Sequence, residues 1–101
     1  MSSIISSGKF SGETLNPPFN FLAQLTSGET ISTQAVTATV YSGTDTTPQA
    51  VLSGAATVSG AVVTQRITGG TEGVIYKLLC TVTTSLSRTL QQATYFAIVP
   101  S

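Results

Sequence analysis

The side chains able to do chemistry in this chain are few. Four carboxylates (Glu13, Glu29, Asp45, Glu72), four cations (Lys9, Arg66, Lys77, Arg88), one thiol (Cys80) and three phenols (Tyr41, Tyr76, Tyr95) make up the supply, and histidine is absent. Without histidine there is no base for the usual serine or cysteine triads, and the commonest transition-metal ligand is missing. A glycoside-cleaving pair needs two carboxylates brought to within about 5–10 Å. The four acids are far apart in sequence; Glu29 and Glu72 both adjoin turns and could meet only if those turns share one end of the fold. Solvated turn residues are the simpler reading. Cys80 alternates in step with Tyr76 and Leu78, which makes it a small core residue rather than a nucleophile. The run Gly69-Gly70-Thr71-Glu72-Gly73 has the glycines of a phosphate loop, but it leads into a strand rather than a helix and carries no lysine. These residues therefore imply no enzyme, no cofactor, no metal and no small-molecule substrate.

The same glycine run marks the architecture. It feeds the alternating stretch 74–83, with Tyr76, Leu78, Cys80 and Val82 on one face and Lys77, Leu79, Thr81 and Thr83 on the other. That is the period of a strand with one buried face. A tyrosine early on a penultimate strand, just after a glycine turn, is where Greek-key sandwiches place a corner tyrosine. Tyr76 with Gly69, Gly70 and Gly73 is the expected structural corner, its hydroxyl bonded to backbone within residues 67–71.

Other strands must cover this one. Residues 19–25 alternate Phe19, Phe21, Ala23 and Leu25 inward. Residues 34–41 are rich in β-branched types, with Val36, Ala38 and Val40 facing in. Residues 42–48 are the most turn-rich stretch, followed by a short edge strand at 49–54. Residues 55–67 read as a hairpin turning at Ser59-Gly60. Residues 89–99 form the last strand, with Leu90, Gln92, Thr94, Phe96 and Ile98 on one face; this strand and 49–54 are the expected free edges. No segment has sustained helical periodicity. Strand and turn alternate about every 8–12 residues, so the expected fold is all-β, a single immunoglobulin-like β-sandwich of about seven strands at residues 19–101. Residues 1–18, broken by Asn16-Pro17-Pro18, read as an extended, irregular N-terminal arm. Its apolar islands Ile4, Ile5, Phe10 and Leu15 are candidate anchors on a neighbouring subunit.

Composition limits the partners. The chain has 101 residues, enough for one domain with a core, and 41% are hydrophobic. Only 8% are charged and the net charge is zero, against about 25% charged in an average soluble domain. Scattered cations without a basic run argue against nucleic acid. No apolar run approaches the roughly 20 residues of a membrane span, and the first residues lack the features of a signal peptide. One cysteine allows no internal disulfide. A surface so poor in charge has little repulsion to keep molecules apart, which suits a domain packed against neighbours.

Several stretches in order add a family to this reading. Phe21-Leu22-Ala23-Gln24-Leu25 with Gly28-Glu29-Thr30-Ile31, the threonine-rich segment 34–40, Ile67-Thr68-Gly69-Gly70-Thr71-Glu72-Gly73 with Tyr76, and Thr81-Val82-Thr83-Thr84 with Arg88-Thr89 together resemble small immunoglobulin-like virion proteins of tailed bacteriophages, of the fibre–tail adaptor or tail-connection type. The resemblance covers residues 19–99. It departs at Phe21, where the family has tryptophan, at Ser87, where it has glycine, and in the length of the arm. It implies a structural virion protein made in the bacterial host cytoplasm, an adaptor at the tail or head–tail junction. Its partners would be other virion proteins (tail, connector or capsid) and copies of itself. A capsid decoration protein is the alternative within that class. A host-surface or carbohydrate-binding module is the alternative outside it; such a module exposes aromatics in a cleft, and this chain has no tryptophan.

Overall fold

The computed structural model describes residues 2–4, 9–10 and 12–99. Its elements are β1 (Ser2–Ile4), β2 (Lys9–Phe10), β3 (Pro18–Asn20), β4 (Ile31–Ser42), the 3-10 turn η1 (Pro48–Val51), β5 (Thr57–Ser59), β6 (Val62–Thr64), β7 (Ile75–Thr84) and β8 (Thr89–Val99). They form two facing sheets. The larger runs β1-β8-β7-β4, with β2 also on β8; the smaller runs β3-β6-β5. The chain crosses between them, so β3 lies in the small sheet, β4 in the large, β5 and β6 in the small, β7 and β8 in the large. The result is a sandwich-like all-β fold.

The core lies between the sheets. Tyr76, Leu78, Cys80 and Val82 of β7, Phe96 and Ile98 of β8 and Ala38 of β4 meet Phe19, Phe21, Val63 and Ile67 from the other layer. The alternation read from the sequence is the one observed: every second residue of β7 from Tyr76 is buried, and those between are half-buried. β7 is the centre of the large sheet because it ladders antiparallel with β4 on one side and β8 on the other. The β5–β6 hairpin turns at Gly60, whose φ of 60° suits glycine.

Three expectations fail, each for a local reason. The strand expected over 19–25 ends at Asn20. The Asn20 side chain accepts the Leu22 N–H at 2.9 Å, and the Phe21 carbonyl accepts from Gln24 N–H at 2.8 Å and Leu25 N–H at 3.1 Å. Side chain and turn thus outcompete the ladder, and Leu22 and Ala23 are exposed. The edge strand expected at 49–54 is instead η1. Pro48 sits at its start, where a fixed φ and missing N–H suit a helical turn, and Asp45 accepts the Thr47 N–H at 2.9 Å just before it. Finally, 89–99 is not a free edge. β1 and β2 both pair parallel with β8, Ser2–Ile4 against Ala93, Thr94 and Tyr95, and Lys9–Phe10 against Ile98 and Val99. Leu15 then bridges to Ile67 of the other layer.

Candidate functional site

The charged side chains that make hydrogen bonds are concentrated at the two ends of the sandwich. At the end where β7 begins, Tyr76 is fully buried, stacks on Phe96 with centroids 5.3 Å apart, and places its hydroxyl at the surface turn. That hydroxyl accepts the Thr71 N–H at 2.9 Å and donates to Asp45 Oδ2 at 2.5 Å. Burial, then the bond to Asp45, pushes the phenol's pKa up, and the same bond holds the Asp45 carboxyl below its usual range. Gly70 closes this corner: its φ is 105°, and a Cβ there would lie 2.7 Å from Ile98 side-chain carbons. Gly69 and Gly73 also have positive φ. The Gly73 N–H donates to the Ile98 carbonyl at 2.9 Å, and the Gly69 carbonyl accepts from Lys9 Nζ at 2.7 Å. Lys9 is buried although β2 is only two residues long, and that burial lowers its pKa.

The opposite end is pinned by Glu29. Its carboxylate takes a bidentate fork from Arg88, with Nε at 2.9 Å, and accepts from the Thr84 hydroxyl and from Thr26 N–H at 3.0 Å. Arg88 also donates to the Gln24 carbonyl at 2.8 Å. Two turns distant in sequence, 21–30 and 84–88, are joined through one carboxylate. The Arg88 guanidinium first, then the Thr84 hydroxyl, hold the Glu29 pKa well below the usual carboxylate range. Glu72 is exposed in the turn before β7. Glu29 and Glu72 are therefore at opposite ends of a ten-residue strand, about 30 Å at ~3.3 Å per residue, and cannot act as a pair. Cys80 is buried mid-strand and its thiol is pushed up to about 11 by desolvation.

Lys9, Glu13, Glu29, Asp45 and Arg88 all make internal hydrogen bonds, leaving Arg66, Glu72 and Lys77 of the eight charged side chains in the sequence. Among the described residues no buried side-chain polar atom lacks a partner, and none cluster as a metal site. No helix of the described residues is long and apolar enough to cross a membrane. The polar chemistry fixes turns, and two surfaces remain open. One is the outer face of β4, β7 and β8. Another is an amide-lined groove of about 380 Å³ between β3 and β8, where Gln92 donates to the Asn20 carbonyl at 2.7 Å and to Gln24 at 2.6 Å.

The anchors expected in the arm are dispersed. The Ile4 backbone pairs with Tyr95, and Ile5 lies outside the described residues. Phe10 is 45% exposed and Leu15 packs on the core. Sequence reading did not find Lys9, Asp45 or the Glu29–Arg88 pair. Only the Asp45 position carried a usable signal, a short acid in a turn-rich loop able to reach a corner tyrosine.

The fold is an all-β sandwich whose charged side chains lock its turns. More particularly, residues 9–97 match the family model of the podophage GP4 fiber-tail adaptor protein gp77, and the chain belongs to that family. No curated protein sequence matches the chain. The match spans β2 to β8 and leaves out β1.

Proposed function

We propose that this chain is a non-catalytic connector that seats a fibre on the tail of a podophage-type virion. It is made in the host cytoplasm and enters the particle through contacts with tail protein, fibre protein and further copies of itself. The observation that carries the reading is the family match over residues 9–97. Its physical counterpart is the locking of both ends of the sandwich. A connector must hold two partners at a fixed separation, and the Glu29–Arg88 and Tyr76–Asp45 bonds keep the terminal turns from moving independently of the sheets. The residues of the arm, from Ile4 to Leu15, belong in this reading to the same load path, since β1 and β2 extend the sheet along β8.

Deleting the gene and imaging the released particles tests this. The expected particles have complete heads and tails but lack fibres, and supplying the protein in trans restores them. Fibre-bearing particles from the deletion would refute the role.

A further inference from the structure

The outer face of the large sheet is uncovered among the described residues and nearly devoid of charge. In register across β4, β7 and β8 it presents the rows Thr39–Lys77–Tyr95, Thr37–Leu79–Ala93 and Ala35–Thr81–Gln91, flanked by Ile75–Ala97 at one end and Thr83–Thr89 at the other. Lys77 is the only charged residue in the three strands. Tyr41 reaches over this face to Tyr95, edge to face at 4.9 Å, and is still 66% exposed. Exposed tyrosine on a flat surface without acids is the composition of an interface core.

We infer that this face is the contact between two copies of the chain, related by a two-fold axis that crosses the strands at Leu79. Of the axes in the plane of the face, the two aligned with the sheet differ in charge. An axis along β7 sets Lys77 against Lys77, which repels. An axis across the strands sets Lys77 against Thr81, Thr39 against Ala35, and Tyr95 against Gln91, with Leu79 meeting Leu79. The second arrangement has no like-charge contact and lays Tyr95 over the amide of Gln91 and Tyr41 over the small side chain of Thr33. The face can thus meet its own copy about this axis without setting like charge against like, as an isologous interface requires. Three strands ~4.8 Å apart and ten residues at ~3.3 Å give about 480 Å² per copy, or about 950 Å² over both, just under the lower bound of about 1,000 Å² for a specific pair. The dimer is weak and is favoured where copies are concentrated, as in a particle. This inference builds on the reading that copies meet in the virion, but its test is made on the isolated protein and so stands or falls separately from fibre attachment.

Sedimentation over a series from about 10 μM to about 1 mM covers the range expected for an interface of that area, and should show a monomer–dimer equilibrium. Leu79→Cys, on the axis, should give a dimer linked by a short bis-methanethiosulfonate reagent, which spans the ~10 Å between stacked sheets that a direct disulfide cannot; Ile75→Cys, off the axis, should not, and the wild type with its buried Cys80 is the control. Thr81→Glu creates two cross-copy pairs with Lys77 and should tighten the dimer about fivefold, an effect removed by high salt. Thr81→Lys should weaken it by a similar factor. Circular dichroism verifies that each variant is folded. A protein monomeric at every concentration, cross-linking through Ile75→Cys instead of Leu79→Cys, a Thr81→Glu variant no tighter than wild type, or this face taken up by a purified fibre or tail protein while the chain remains a monomer would each overturn the inference.

Discussion

Replacing Gly70 by alanine tests the corner most directly, because two independent costs meet at that residue. The first is conformational. At φ 105° an L-residue is in a sparsely populated region, which costs on the order of 1–3 kcal/mol. The second is steric. The new methyl would sit 2.7 Å from both Cδ1 and Cγ1 of Ile98, and Ile98 is a core residue at 1% exposure. Overpacking of that kind costs about 1–3 kcal/mol. Together they come to about 2–6 kcal/mol, a large share of the roughly 5–10 kcal/mol expected for a domain of this size. Gly54→Ala separates the two costs, since Gly54 has a φ of 76° with nothing within 4 Å of an added Cβ. It should lose the first cost alone. Gly12→Ala, with open space and no positive φ, should lose neither. Urea unfolding followed by far-ultraviolet circular dichroism measures all three, and each 1 kcal/mol should move the melting temperature by about 4–8 °C. A Gly70→Ala variant as stable as Gly54→Ala would refute the packing argument. One as stable as Gly12→Ala would refute the corner altogether.

Tyr76→Phe leaves the Thr71 N–H without its partner and should destabilise by about 1 kcal/mol, read as a lower urea midpoint with an unchanged slope. The depressed folded-state pKa of Glu29 means that its contribution is fully present above the ordinary value of 4.5 and is lost as pH falls through 4.5 and below. Glu29→Gln should therefore be less stable than wild type at neutral pH, and its urea midpoint should fall less steeply below pH ~4.5; parallel pH profiles would contradict the assignment. Removing residues 1–10 strips β1 and β2 from β8 and takes away buried Lys9. The truncated protein should melt lower and aggregate through the bared edge, which light scattering during a thermal ramp would detect; an unchanged melt would show that the arm adds nothing to the fold.

What the sequence made legible follows from how far each force reaches along the chain. β7 and β8 were readable because burial on one face writes a two-residue period into the side chains, and β4 because threonine and valine suit a pleated surface. Residues 19–25 carry that period too, yet the chain turns after Asn20, because a side chain two residues away satisfies the Leu22 N–H first. Periodicity cannot see that competition. The 3-10 turn at Pro48–Val51 is hidden for the opposite reason: the local meaning of Pro48, the start of a helical turn, is present, but in a β-rich context residues 49–54 read as an edge strand. The partners of the two end locks were not legible. Glu29 and Arg88 are 59 residues apart and Tyr76 and Asp45 are 31 apart. Nothing in a charge's immediate neighbours says which distant turn the fold will bring to it.

The scarcity of charge takes on a sharper meaning once the side chains are placed. Solubility alone would spread the eight charged residues over the surface. Here the salt bridge is at one end, the tyrosine–carboxylate bond and buried Lys9 are at the other, and the broad face between them has Lys77 alone. Each placement has a physical effect. Ion pairs and charge-assisted bonds are strongest where they are partly shielded and hold turns that would otherwise fray. A flat β-surface with little charge has a low desolvation cost when it meets another such surface. On the proposed self-association, separating the two uses lets the ends be rigid and the face adhesive in a chain of only 101 residues. Moving charge onto the face should then impair assembly without unfolding the domain, whereas removing it from the ends should unfold the domain without changing the face. A Leu79→Glu variant that keeps its melting temperature but loses self-association, beside an Arg88→Leu variant that melts lower but still associates below its melt, would show that division of labour. Equal effects of both substitutions on both measurements would show that stability and assembly are one property of this sandwich.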